Sequence, residues 1–246
     1  MMSRPALRLP IAAACAFLLL AVLAVGGWPP VDAADLAISE RFREFGNAHP
    51  TLIAWVRIAT DVATTIPFLA AGVLLTLFLA VRRERRSAIF TAVITAAVPT
   101  LWGLMHLWLL HPRPENGFVT VASNGFPSGH TSNATAAALL AFYLLSPRLS
   151  RRATAILFVT ATLFALLIGL SRLTLLAHWP TEVLGGWLLG LAVVPVAARY
   201  LAPRRSEIQP PALSRRPAAI SADEATRTRP TPWLRGLIAS RNRPAR

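Results

Sequence analysis

The chain has 246 residues, 54% of them hydrophobic, and a formal charge of +14. The apolar residues lie in blocks too long and too uniform for a soluble core, which points to a polytopic membrane protein. The single cysteine, Cys15, excludes an internal disulfide. All 25 basic residues are arginine, so a role usually given to lysine must be filled otherwise.

A membrane span takes about 20 mostly apolar residues. Six segments qualify: 7–27, 63–81, 88–110, 129–146, 153–170 and 182–200. Span one has a basic start, and VDAA at 31–34 also fits a cleavage site, so a removable signal peptide is an alternative reading. Residues 34–46 place Leu36, Ile38, Phe42 and Phe45 at near-helical spacing among charges, predicting an amphipathic helix on the outer leaflet. Such a helix serves either as a lip over a lipid entrance or as a cover for the bundle.

The arginines set the orientation, because positively charged short loops stay in the cytoplasm. Arg4 and Arg8 precede span one, Arg82, Arg83, Arg85 and Arg86 join spans two and three, Arg148, Arg151 and Arg152 join four and five, and Arg199, Arg204 and Arg205 follow six. All four clusters fall on one side. The opposite, outer side receives 28–62, 111–128 and 171–181. Orientation and the basic tail together account for most of the positive charge, so nucleic acid is not the implied partner. The predicted organisation is therefore 1–62, a first span or signal with the amphipathic segment; 63–200, a transmembrane core; and 201–246, a basic, proline-rich, disordered cytoplasmic tail.

Three strings on the outer side carry candidate chemistry. In His111-Pro112-Arg113-Pro114, prolines hold the chain extended around a guanidinium that offers two parallel donors to a phosphate. His106 lies just before it, near the end of span three. In Phe126-Pro127-Ser128-Gly129-His130, a helix N-terminus supplies free N–H groups, Ser128 a hydroxyl and His130 a proton donor. Alone, that string is also an ordinary helix start with a capping serine. In 171–182, Arg172 precedes His178, and Glu182 follows His178 by four residues, stacking the carboxylate beneath the imidazole if a helix starts at Pro180. A carboxylate on one ring nitrogen fixes the tautomer and frees the other to attack.

Together the strings resemble the tripartite signature of the type 2 phosphatidic acid phosphatase superfamily, which also includes vanadium haloperoxidases and glucose 6-phosphatase. Arg113-Pro114, Pro127 to His130, and Ser171, Arg172 and His178 match that signature, and two positions depart from it. His106 stands where the family has lysine, and Glu182 where it has aspartate. The resemblance implies an all-α, six-transmembrane-helix bundle with a haloperoxidase-like phosphatase core. It implies that His178 attacks phosphorus in line to form a phosphohistidine, that His130 protonates the leaving group, and that water then releases phosphate. Arg113, Arg172, Ser128 and the Gly129 N–H would hold the phosphate oxygens, with His106 beside them. Glu182 would orient His178, and no metal or cofactor is required.

The expected substrate is a lipid phosphate or diphosphate on the outer face of a bacterial cytoplasmic membrane. The isoprenoid carrier undecaprenyl diphosphate is favoured over phosphatidate or phosphatidylglycerol phosphate. The alternatives are a lipid phosphotransferase and an inactive relative that binds lipid phosphates. An inactive relative should have lost His178 or His130, and both are present.

Overall fold

The computed structural model describes residues 6–121 and 123–203. The tail expected over 201–246 therefore lies, from residue 204, outside the described residues. Among those described the protein is all-helical: α1 (Arg8–Val25), α2 (Pro29–Ala48), α3 (Pro50–Thr60), α4 (Thr65–Val81), α5 (Arg85–Trp108), α6 (Gly129–Leu145), α7 (Arg151–Thr174) and α8 (Pro180–Leu201). Short 3-10 turns follow α3 and α6.

The ends of these helices are set by local chemistry. Prolines at the first turn start α2, α3 and α8. Ser128 and Ser150 cap α6 and α7, accepting from Thr131 and Ala153 N–H groups. Helices α1, α4 and α7 all end in the Schellman pattern, with Gly27, Arg83 and Leu176 in the left-handed conformation. In α7 the Leu176 N–H reaches the Leu173 carbonyl and the Ala177 N–H reaches that of Arg172. This reversal turns the chain back within a few residues, so that His178 follows closely on Arg172.

Among the described residues five segments are long and apolar enough to cross a membrane: Arg8–Val25, Pro50–Val81, Arg85–Trp108, Arg151–Thr174 and Pro180–Leu201. The fourth expected span, 129–146, is not among them: it forms α6, which at 17 residues is one residue shorter than α1 and carries the chain along the bundle between the end of α5 and the start of α7. It is also wrapped by its neighbours, with Thr131, Ser132, Asn133 and Thr135 all buried. Its apolar content serves the protein interior.

The main core lies between α4, α5, α6 and α8, where Phe90, Ile94, Val98 and Val194 are fully buried with Ala136 and Leu140. Small residues bring the backbones close. A Cβ at Gly186 of α8 would lie 2.7 Å from Thr131 Cβ and 2.9 Å from the Ser128 carbonyl. The glycine thus lets α8 press against the first turn of α6, the kind of contact that organises helices in lipid. Phe17 of α1 packs against Phe126 at 5.5 Å between ring centroids. Large aliphatics such as Ile66, Val81 and Leu107 stay exposed, as suits surfaces that meet lipid tails rather than water.

Helix α2 covers the predicted amphipathic segment but runs longer, and VDAA lies within its first turns. Its inward residues are polar or small, namely Asp35, Ser39 and Gly46, while Leu36, Ile38 and Phe45 are exposed. The side facing away from the bundle is charged, with Glu40, Arg41 and Glu44 exposed, and the exposed apolar residues flank the buried stripe while Phe42 is half-buried.

Candidate active site

The C-terminal ends of α5 and α7 and the N-terminal ends of α6 and α8 meet at one end of the bundle, joined by the segments 109–128 and 175–179. At the opposite end Arg148 pairs with Glu84, and Arg86 donates to the Tyr200 carbonyl. All three sequence strings thus share one end and most of the helix-flanking arginines the other.

Glu182, at the third position of α8 and fully buried, organises the centre. Its Oε2 accepts from His178 Nδ1 at 2.7 Å and from the Trp179 backbone N–H at 3.1 Å. The helical start at Pro180 delivers the predicted stacking of carboxylate under imidazole. With a proton on Nδ1, the Nε2 of His178 keeps its lone pair, and it accepts from Arg113 at 2.9 Å. His178 is 2% exposed. Burial, reinforced by the Arg113 and Arg172 charges, pushes its pKa down to about 4 in spite of Glu182.

Arg113 bridges the loops. Its Nε reaches the Ser123 carbonyl at 2.8 Å, one terminal nitrogen the Ala177 carbonyl at 2.5 Å, and the other Ser123 Oγ at 3.1 Å. The guanidinium is thus held against the ring nitrogen free to react. Arg172 is buried, donates to Thr60 Oγ1 at 3.4 Å, and keeps its Nε without a partner. A buried guanidinium N–H left unpaired is costly, and an anion arriving there would satisfy it. Ser171, its neighbour, shares a hydrogen bond with Thr60 at 2.9 Å and so fixes the contact from the other side.

Ser128 is the N-cap of α6. Its oxygen accepts from Thr131 Oγ1 at 3.0 Å within the α6 cap, which leaves its own hydroxyl proton to donate. The Ser128 N–H donates to the Glu182 carbonyl at 2.9 Å, locking the second string to the third. Gly129 opens α6, with the Trp102 ring 3.1 Å from where its Cβ would stand. His130 is half-buried and has no hydrogen-bond partner among the described residues, and the charges of Arg172 and Arg113 act on it.

His106 sits differently from the expectation. Its Nε2 donates to the Pro127 carbonyl at 2.8 Å, and its own carbonyl accepts from Asn124 at 2.8 Å. The hydrogen bond visible there supports the Pro-Ser-Gly-His loop. A shorter imidazole stands where a lysine would extend further, and the nearby carbonyl captures it.

Three residues of the site were not singled out in the sequence. His111 Nδ1 donates to Glu182 Oε1 at 2.6 Å. Asp35 accepts from the Thr181 N–H at 3.0 Å and from the Thr181 hydroxyl at 2.5 Å, holding the first turn of α8 from α2. Arg43 donates to the carbonyls of Glu115 and Asn116 at 2.9 and 3.0 Å, tying down the loop that carries Arg113. Only the inward polar positions of α2 hinted at the last two. The partners lie 72 or more residues away in the chain, beyond any local pattern.

The family model described as PAP2 superfamily matches residues 106–206. Phosphatidylglycerophosphatase B of Bacillus subtilis (strain 168) is 38% identical over 88 residues, 34% of this chain and 43% of that protein. Phosphatidylglycerophosphatase B of Escherichia coli (strain K12) is 40% identical over 116 residues, 47% of this chain and 41% of that protein. The chain thus spans less than half the length of these curated relatives. A crystal structure of a transmembrane PAP2 type phosphatidylglycerolphosphate phosphatase from Bacillus subtilis superposes with a TM-score of 0.69 at 26% identity, covering 77% of this chain and 94% of that one. With five segments able to cross a membrane among the described residues and this fold, the protein is an integral membrane protein whose residues 106–206 are similar to the PAP2 superfamily.

Proposed function

We propose that the protein is a membrane lipid phosphatase that works through a phosphohistidine at His178 Nε2. The observation that carries this reading is the pairing of Nδ1 with Glu182 at 2.7 Å while a guanidinium faces Nε2 at 2.9 Å. The lone pair is oriented and positive charge waits where a phosphoryl group must arrive.

On binding, the phosphoryl group takes the place of the Arg113–His178 contact, and its oxygens draw on Arg113, the unpaired Nε of Arg172, the Ser128 hydroxyl and the Gly129 N–H. The Nε2–P bond forms as the bond to the leaving oxygen breaks, and His130 supplies the proton that oxygen needs. Water, giving a proton back to His130, then attacks phosphorus, and the His178–P bond breaks to release phosphate and restore the Nε2 lone pair. Two guanidinium groups supply the stabilising charge, so the reaction needs no metal. His106 acts through the loop it supports, holding the Pro127 carbonyl and with it Ser128 and Gly129. The site faces outward, on the side opposite the arginine-bearing loops.

The relatives' names favour phosphatidylglycerol phosphate as substrate, with undecaprenyl diphosphate and phosphatidate as the competing lipids. The test is phosphate release by the purified protein in detergent with chelator present, comparing the three lipids. Release is expected from phosphatidylglycerol phosphate and should fall to background in His178→Ala. No release from any of them, or equal release by the variant, would refute the reading.

A further inference from the structure

The Glu182 carboxylate is shared between two imidazoles. Oε2 serves His178 Nδ1 at 2.7 Å and the Trp179 N–H, and Oε1 serves His111 Nδ1 at 2.6 Å. A carboxylate between two donors on opposite oxygens has one rotamer that satisfies both, and each donor fixes the direction of the other. The longer glutamate side chain makes this possible, and room for it is made on purpose. A Cβ at Gly125 would lie 1.9 Å from Oε1, so only glycine fits there. The same Gly125 donates its N–H to the His111 carbonyl at 2.9 Å, and the Phe126 ring stands edge-on to the His111 imidazole at 6.4 Å. His111 is held by its backbone and ring, and it holds Glu182 in turn.

We infer that His111 is a positioning residue for the nucleophile, fixing the rotamer of Glu182 and thereby the Nδ1–H tautomer of His178. This rests on the phosphatase reading for its kinetic readout. His111 also connects the buried pair to the outside, since it lines an open cavity of about 690 Å³ with Asp32, Asp35, Arg43, Arg113 and Glu115. Around it stand Glu182 on α8, Asp32, Asp35 and Arg43 on α2, and Arg113 and Glu115 of its own loop, while the end of α1 and the turn after it contribute only Ala24, Val25 and Gly27 to that cavity. Burial works against charge on His111, but the Glu182 hydrogen bond and charge, with Asp35 and Asp32, raise its pKa above the usual 6.5. A protonated His111 offsets the Glu182 charge that supports His178, and a neutral one does not. Deprotonating His111 should therefore raise the nucleophilicity of His178 while the geometry is kept.

The test compares His111→Ala and His111→Asn with the wild-type protein. Asn places an amide N–H near the position of Nδ1–H but does not titrate. His111→Ala should lower kcat by about 10- to 100-fold, the span of one charge-assisted hydrogen bond, with KM unchanged. His111→Asn should restore most of kcat and lose the rise in kcat above pH 6.5 expected of the wild type. In protein labelled with 15N-histidine, His178 should show a single Nδ1–H tautomer in the wild type and in His111→Asn, and a mixture in His111→Ala. An alanine variant with wild-type kcat and an unchanged His178 tautomer would overturn the inference, as would a loss of kcat that Asn does not restore. If the wild type releases no phosphate from any lipid, the phosphatase reading fails, and the tautomer spectra still decide the role of His111.

Discussion

A histidine that attacks phosphorus near neutral pH must keep its lone pair in a pocket built to attract anions. His178 manages this through burial and two nearby guanidinium groups, which hold its pKa at about 4, while Glu182 takes the proton on the other nitrogen. The same shift makes a statement about stability. A base whose pKa is depressed on folding binds protons more readily when unfolded, so its contribution to stability is present at neutral pH and is lost as pH falls from 6.5 through about 4. The melting temperature in detergent should therefore drop across that window. His178→Gln, which removes the titrating group, should lose less between pH 6.5 and pH 4 than the wild type. Equal losses would assign the acid sensitivity to other groups.

Among the helices, the contact between α6 and α8 decides whether Ser128 and Gly129 reach the histidine, because Ser128 N–H bonds to the Glu182 carbonyl across it. Gly186 sets that distance. A Cβ there meets Thr131 Cβ at 2.7 Å, the Ser128 carbonyl at 2.9 Å and Ser132 N at 3.1 Å, and two of these are backbone atoms with nowhere to move. Gly186→Ala should destabilise the protein by about 1–3 kcal/mol, the usual cost of overpacking, and should reduce turnover because α6 is pushed off its seat. Gly103 is the control, since a Cβ there meets nothing within 4 Å, and Gly103→Ala in the middle of α5 should be neutral or slightly stabilising. Thermal unfolding and phosphate release on both variants check the pair, and equal effects would show that helix propensity rather than contact distance is at work. The same contact explains why the α6 segment reads as a span. Its apolar residues have the composition of a membrane helix, and only the packing of α5, α7 and α8 around it makes it an interior one.

At the scale of the whole molecule, the residues that meet at the candidate site were legible because they lie in short strings, and each string folds locally into a turn or helix start. The Arg172-to-His178 spacing is the length of the α7 terminal reversal, and the His178-to-Glu182 spacing is one helical turn. What was not legible is what joins the strings. Asp35, Arg43 and His111 act on partners 71 to 146 residues away, and no periodicity encodes such contacts. Orientation belongs to this scale as well, since it follows from the sum of the arginine clusters and from no single helix. The segment 109–128 should face outward and the turn after α4 inward. Cys15, exposed on α1, is first changed to serine to leave a cysteine-free chain. Glu115→Cys and Arg82→Cys then each introduce one thiol at an exposed position, one at either end of the bundle. In intact cells a membrane-impermeant maleimide should label Glu115→Cys and leave Arg82→Cys unmodified until the membrane is opened. The reverse pattern would put the site in the cytoplasm and make its lipid substrate one of the inner leaflet.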